Sequence, residues 1–296
     1  MQTVSIVGPG KVGTAIGVLA ARAGWPVAAV AGGAPGRAEA AAKTIGHGVR
    51  ACGSADAARA GEIVLLTVPD DAIANVCEEL ADAGAFQQGA VVAHCSGSLA
   101  GDVLAAARER GDCAVASMHP LQTFPTASAG VARLPGTHWF LEGDAAAVER
   151  LGPFVEAVGG VPAGIDAGAK ALYHAAACVA CNYLAALMDT AAAMAQPAGI
   201  DRDTWLAAAG PMVRAGLENT LQMGPEAALT GPIVRGDAAT VARHVEALAS
   251  LPVPLQSVYA VLGGYSVELA SRAGRLGTEE KLTLLLTIKR LLDGKA

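Results

Sequence analysis

Apolar residues fall into two patterns along the chain. Up to about residue 142 they form short, nearly unbroken blocks: Thr3–Val7, Pro26–Ala31, Ile63–Val68, Ala90–His94, Ala114–Met118 and His138–Glu142. These blocks are too short for helices, and several are rich in β-branched residues, which predicts strands buried on both faces. Between them, the stretch from Lys11 to about Ala23, then Ala72–Ala83, Gly101–Arg110 and Asp144–Ala157 read as amphipathic or alanine-rich helices. Strand and helix in alternation predict a parallel sheet covered by helices.

Near Gly164–Asp166 the alternation stops, and only helices follow. Ala167–Gln196 has no Pro or Gly after Gly168 and is closed by Pro197, so it reads as one uninterrupted helix. The next helix, Asp201–Met223, is expected to break at Gly210-Pro211. Asp237–Ser250, Leu255–Leu276 and Thr278–Leu292 complete the set, with Asp201 and Thr278 as expected N-caps. Pro252-Val253-Pro254 marks a rigid turn.

The first strand runs directly into Gly8-Pro9-Gly10-Lys11-Val12-Gly13 and then a helix. A Gly-x-Gly-x-x-Gly match means little by itself, but between a strand and a helix it predicts a dinucleotide site. The first glycine makes the tight turn, and the second lets the backbone approach a pyrophosphate. The third lets the helix pack on the strand, while the helix N-terminus offers free N–H groups. The expected fold is therefore an α/β Rossmann domain, a doubly wound parallel sheet, over residues 1–165. An all-α domain for substrate binding and dimerisation follows over 166–296, and the two are expected to share a cleft.

An NAD site calls for Asp or Glu at the end of the second strand, to bind the ribose 2′-hydroxyl. Gly32-Gly33 stands there, with Arg37 close by and Glu39 already in the next helix. The expectation is NADP, with Gly33 and Arg37 near its 2′-phosphate, and NAD less favoured. In such sheets ligands gather beyond the carboxyl ends of the strands. Those ends carry Val68-Pro69-Asp70-Asp71, His94-Cys95-Ser96-Gly97-Ser98 and His119-Pro120-Leu121-Gln122. Val68, Pro69 and Asp70 are accordingly assigned to the cofactor. Ser96 is assigned to the nicotinamide ribose or the substrate.

Lys170 and His174 lie one turn apart at the start of the long helix. A lysine beside a nicotinamide can give a proton to a substrate oxygen or nitrogen, and burial would lower its pKa toward neutrality. His174, with Tyr173 adjacent, can orient or relay that proton. His119, fixed by Pro120 at a strand end, is a third candidate. No Gly-x-Ser-x-Gly elbow surrounds Ser96 or Ser98, which argues against a serine nucleophile. Cys178-x-x-Cys181 has no accompanying Cys or His pair with zinc spacing, so small residues in a packed helix are expected and no metal is predicted.

Composition narrows the classes. With a net charge of −6 and no run of Lys or Arg, a nucleic-acid or anionic-membrane surface is not expected. Six scattered cysteines and a start without a basic, apolar leader suggest reduced thiols and a cytoplasmic protein. Ala171–Ala195 is apolar enough for a membrane span, but His174, Asn182 and Asp189 lie within it, so a buried helix of a soluble protein is expected. An alanine-rich helical face needs a cover, and a homodimer through the C-terminal helices is expected.

The segments GPGKVG, VLLTVPDDAI, VVAHCSGSL, SMHPLQTF, KALYHAAACVACNYLAAL and ALTGPIVRGD, in this order, resemble Rossmann-like proteins with a helical C-terminal domain of unknown function, in the 6-phosphogluconate dehydrogenase-like superfamily. The resemblance spans nearly the whole chain and implies an NADP-dependent oxidoreductase. β-Hydroxyacid dehydrogenases carry a catalytic lysine early in the long helix, with an asparagine about one turn on. Lys170 matches the lysine, and His174 stands in the asparagine's place. Prephenate dehydrogenases are similar around SMHP, where their histidine binds the hydroxyl being oxidised. His119 matches that histidine, and their serine turn is similar to Ser96–Ser98, but no arginine equivalent to their dicarboxylate holder is found. Relatives often carry Arg just after the second strand, where this chain has Gly32-Gly33. The reading is an oxidoreductase passing hydride to or from a small carbonyl, hydroxy acid or imine, with Lys170 supplying the proton. The alternatives are a prephenate-dehydrogenase-like enzyme and a non-catalytic NADP-binding sensor or partner-binding protein.

Overall fold

The computed structural model describes residues 1–294. Eight strands form one sheet: β1 (Val4–Val7), β2 (Val27–Ala31), β3 (Arg50–Ala51), β4 (Ile63–Leu66), β5 (Val91–His94), β6 (Ala114–Pro120), β7 (His138–Gly143) and β8 (Val161–Gly164). Their spatial order is β3-β2-β1-β4-β5-β6-β7-β8. The order reverses between β1 and β4, which is where a doubly wound sheet opens a crevice for a ligand.

Alternation within each strand assigns its side chains to two cores. Val4, Ile6, Ile63, Leu65, Val91, Ala93, Ala116 and Met118 belong to one. Val7, Ala29, Ala31, Val64, Leu66, Val92 and Val115 belong to the other. Because helices cover both faces, these strands read in the sequence as continuous apolar runs.

β7 corrects the expectation of an all-parallel sheet: it runs antiparallel to β6, pairing Ser117 with Glu142 and His119 with Phe140. The connection from β6 contains a short helix, Ala127–Arg133, in which Gly130 packs against Ala15 near the start of the first helix. It stays at the carboxyl end of the sheet, so the chain re-enters from that end and must run back. β3 and β8 pair with β2 and β7 at the two edges of the sheet and carry no long apolar block.

By contacts the chain divides into two compact units, Met1–Val179 and Ala180 onward. The division lies further along the long helix than the expected boundary at 165/166, because its first turns hold on to the sheet. In the second unit, Val241, Val245, Leu248, Ala260, Val267, Leu284 and Ile288 form a core among helices Ala238–Leu248, Val253–Arg272 and Thr278–Leu292.

Four details of the helices depart from expectation. The long helix contains a π segment at Cys178–Asn182, between α-helical stretches Lys170–Ala177 and Tyr183–Ala195. Its apolar surface is largely exposed in the single chain rather than buried: Val179 is 63% and Tyr183 60% exposed, and Cys181 is exposed as well. By length and composition alone Ala167–Ala198 is long and apolar enough to cross a membrane.

Helix Arg202–Met223 runs through Pro211 without breaking; the Asp201 carboxylate caps it by accepting from the N–H groups of Asp203 and Thr204 at 3.1 and 3.0 Å. The cap of the last helix is Gly277, not Thr278, and its N–H donates to the Glu280 carboxylate at 2.8 Å.

Candidate functional site

β1 delivers the chain into the glycine turn. Gly8 has a φ of +89°, and a Cβ there would come within 2.8 Å of the Val68 nitrogen. At Gly13 a Cβ would sit 2.2 Å from Thr67 Oγ1 and 2.9 Å from Ile6, so the helix needs glycine to pack against β1 and β4. Gly10 is different: its added Cβ would meet only Gly8 O at 3.9 Å. Space therefore lies over the second glycine. Thr67 Oγ1 and the Gly10 N–H both donate to Gly8 O, at 2.6 and 2.7 Å, and fix the turn. The N–H groups of Lys11, Val12 and Gly13 open the helix Lys11–Arg22, where no i−4 carbonyl serves them. This is the cradle a pyrophosphate fits: an open glycine, free N–H groups and a helix dipole. Pro9 packs under Gly32 at the end of β2, and Arg37 starts the next helix, exposed and with no carboxylate partner among the described residues.

Beside the turn, Asp70 follows β4 and collects the serines that follow β5. Its Oδ2 accepts from Ser96 Oγ at 2.7 Å and from Ser98 Oγ at 3.0 Å. Ser96 Oγ in turn accepts the N–H groups of Ser98 and Leu99 at 3.2 and 3.1 Å. His94, fully buried, closes the other side of this loop. Its Nδ1 accepts the Ser96 N–H at 3.1 Å, so its proton lies on Nε2, which donates to Ala100 O at 3.1 Å. Burial, with the charge of Lys170 adding to it, pushes His94 down to about 4. It is a neutral strut.

Lys170 lies beneath the same loop and is 1% exposed. Its ammonium donates to Ser96 O at 3.1 Å and to Ser117 Oγ, which itself donates to Ser96 O at 3.2 Å. Burial lowers its pKa, and Glu142, Cys95 and Asp70 oppose that shift. Glu142, opposite Ser117 on β7, accepts the Gly101 N–H at 2.8 Å. The sequence placed Lys170 at the site but not its direction; the structure points it inward, onto two protein oxygens.

His119, on β6, brings its Nδ1 to 2.9 Å from the Tyr173 hydroxyl. Burial first, then the charge of Lys170 and the proximity of His174, lowers its pKa to about 4. Burial raises Tyr173 to about 12, and its ring rests on Phe140, with centroids 4.7 Å apart. His174 meets His119 edge to face, with centroids 6.0 Å apart, and its Nδ1 stands 4.0 Å from Cys178 Sγ. Both imidazoles crowd Gly97: a Cβ there would lie 2.5 Å from His174 Cδ2 and 2.9 Å from His119 Nε2.

The structure thus gathers Asp70, Ser96, Ser98, His119, Lys170 and His174 around the carboxyl ends of β4, β5 and β6. Gly8, Pro9, Gly10, Lys11, Val12 and Gly13 line the adjacent turn after β1. Ser117, His94 and Gly97 join them, though the sequence alone assigns them no role. Ser117 has a signal, a polar residue inside an apolar strand. One cleft of about 430 Å³ lies beside the start of β7, and another of about 720 Å³ lies by the ends of β7 and β8.

A glycine cradle at the sheet's switch point, next to a cluster of proton-carrying side chains, defines a nucleotide-binding fold of the doubly wound class. Comparison with known proteins agrees. Residues 1–120 match the Rossmann-like domain, and residues 137–266 match the domain of unknown function DUF2520. No curated protein matches it by sequence.

Among solved structures, a candidate NADP oxidoreductase from Bacteroides fragilis superposes with a TM-score of 0.69 at 18% identity, covering 88% of this chain and 96% of its own. An imine reductase from a Pseudomonas species gives 0.62 at 19% identity, over 100% and 99%. A reductive aminase from Aspergillus terreus, solved with NADPH and ethyl-5-oxohexanoate, gives 0.58 at 17% identity, over 99% and 94%. At these identities the likeness is one of fold.

Proposed function

We propose that the protein is an NADP(H)-dependent oxidoreductase acting on a small carbonyl or imine compound. The observation that carries this reading is the juxtaposition in one unit of two features. One is a glycine turn whose second glycine is open and whose helix N-terminus is unserved; the other is the Asp70, Ser96, His119, Tyr173 and His174 cluster at the neighbouring strand ends. Two of the fold neighbours are an imine reductase and a reductive aminase, which supports the substrate class.

Gly8, Gly10 and Gly13, with the N–H groups of Lys11 and Val12, would hold the pyrophosphate. Arg37, beyond the end of β2, would take the 2′-phosphate, and Ser96 and Ser98 would face the nicotinamide ribose. When bound, the nicotinamide supplies or accepts a hydride. The chain's own part is to exclude water, hold the substrate's reacting heteroatom and exchange a proton with it. Lys170 keeps the Ser96–Ser98 loop in place from below through Ser96 O.

The exposed apolar residues of the second unit, among them Met212 at 66% and Leu221 at 77%, fit a homodimer formed through the C-terminal helices.

The test is turnover of a panel of cyclic imines, ketones and hydroxy acids, followed by the nicotinamide absorbance with each cofactor. Oxidation of NADPH by imines or ketones supports the reading. Tight NADPH binding without turnover of any class favours a nucleotide-binding sensor instead.

A further inference from the structure

We propose that Tyr173 is the catalytic acid, held in place by His119, and that the proton reaching the substrate is the phenol's rather than the ammonium proton of Lys170. The inference rests on the oxidoreductase reading above.

Lys170 cannot present itself without giving up what it holds. It is 1% exposed, and its ammonium lies on Ser96 O and Ser117 Oγ. Tyr173, one turn along the same helix, is half-buried and brings its hydroxyl to the end of β6, where the loop after β5 also lies.

The 2.9 Å contact with His119 Nδ1 admits two arrangements. In one, Tyr173 gives its proton to Nδ1, and the imidazole N–H then sits on Nε2. In the other, Nδ1–H donates to the phenol oxygen, and the phenol proton is free to point at a substrate.

The surroundings of Nε2 favour the second. That nitrogen faces Gly97, where an added Cβ would stand 2.9 Å away, and among the described residues it has no hydrogen-bond acceptor. A proton on Nε2 would lack a protein partner, whereas on Nδ1 it finds the phenol oxygen. His119 lies in a buried setting beside the positive charge of Lys170, so it stays neutral and carries a single N–H. In this arrangement it is a positioning residue: through Nδ1 it aims the phenol.

In the reduction, a bound reduced nicotinamide would supply the hydride to the substrate carbon. The Tyr173 O–H bond breaks as an O–H or N–H bond forms on the substrate heteroatom. The phenolate left behind is held by His119 Nδ1–H and recovers a proton from water. General acid catalysis of this kind contributes about 10²- to 10⁴-fold.

The experiment has two arms. The first uses the free protein: ¹⁵N NMR of the imidazoles, with His119→Gln for assignment, reports the tautomer without cofactor or substrate. The Nδ1–H form is expected, and an Nε2–H form with Nδ1 accepting from the phenol overturns the proposal. The second compares Tyr173→Phe with the wild type on a substrate that the wild type reduces.

The expected result is a loss of about 100-fold or more in kcat, with NADPH affinity within about twofold and an unchanged far-ultraviolet spectrum. Retained kcat in Tyr173→Phe overturns the assignment while leaving the oxidoreductase reading intact. A wild type that binds NADPH yet reduces nothing overturns both.

Discussion

Lys170 Nζ lies 3.1 Å from the carbonyl oxygen of Ser96, across 74 residues of chain. A helix that leaves the sheet is thereby pinned to the turn after β5, and through Ser96 Oγ to Asp70 after β4. The loop between the glycine turn and the His119 cluster is thereby tied from both sides.

Removing that pin should be felt in stability before it is felt in chemistry. Lys170→Met takes the donor away from Ser96 O and Ser117 Oγ, both buried, and should cost about 1–3 kcal/mol. Thermal unfolding measures it. Ser117→Ala, which leaves the bond from Lys170 to Ser96 O, should cost less. Equal melting temperatures for Lys170→Met and wild type would show that the ammonium holds nothing.

The glycines of the first turn should separate packing from binding. Gly13→Ala drives a Cβ to 2.2 Å from Thr67 Oγ1 and 2.9 Å from Ile6, so destabilisation of about 1–3 kcal/mol is expected. Gly10→Ala meets only Gly8 O at 3.9 Å, so the fold should hold while NADPH binding weakens by about tenfold or more. Melting curves and calorimetric titration of the two variants check the contrast.

Arg37 should discriminate between cofactors. Loss of a charge-assisted contact to a phosphate is worth about 1–3 kcal/mol, so Arg37→Ala should weaken NADPH by about tenfold or more and leave NADH unchanged. Parallel titrations decide it. Equal effects on both would remove Arg37 from the 2′-phosphate.

Acid should loosen the fold through His94. Its folded pKa is depressed to about 4 from 6.5, so the unfolded chain binds a proton that the folded chain refuses. This stability is present in full above the unfolded pKa and drains as the pH falls toward the folded one. Between pH 7 and 5 the loss from His94 alone is about 2 kcal/mol. Denaturant unfolding at the two pH values measures it, and His94→Gln should flatten the difference.

Much of the first unit was legible because physics writes it locally. Parallel strands buried on both faces read as unbroken apolar runs, and a glycine turn between strand and helix has one common use. What sequence could not carry was direction and pairing across distance. β7 reads like the strands before it, and only the path of the connection through Gly130 sets it antiparallel.

The place of Lys170 on the helix marks it in the sequence, but the direction of its ammonium is set by Ser96 O and Ser117 Oγ, which lie far away in the chain. Tyr173 reads in the sequence as a neighbour of His174; its partner His119 stands 54 residues away, and nothing local ties them. The exposed face of the long helix reads as buried because an apolar run looks the same in a sequence whether or not its own chain covers it. Light scattering at micromolar concentration tests the copy: a dimer is expected, and a monomer would leave Leu221 and Met212 in water.

Calorimetric titration of the purified protein with NADPH and, separately, NADH decides whether the glycine turn holds NADP(H). Micromolar or tighter binding of NADPH, with weaker binding of NADH, is the predicted result. Binding of neither would mean that the turn after β1 serves packing or another ligand, and the oxidoreductase reading would fall with it.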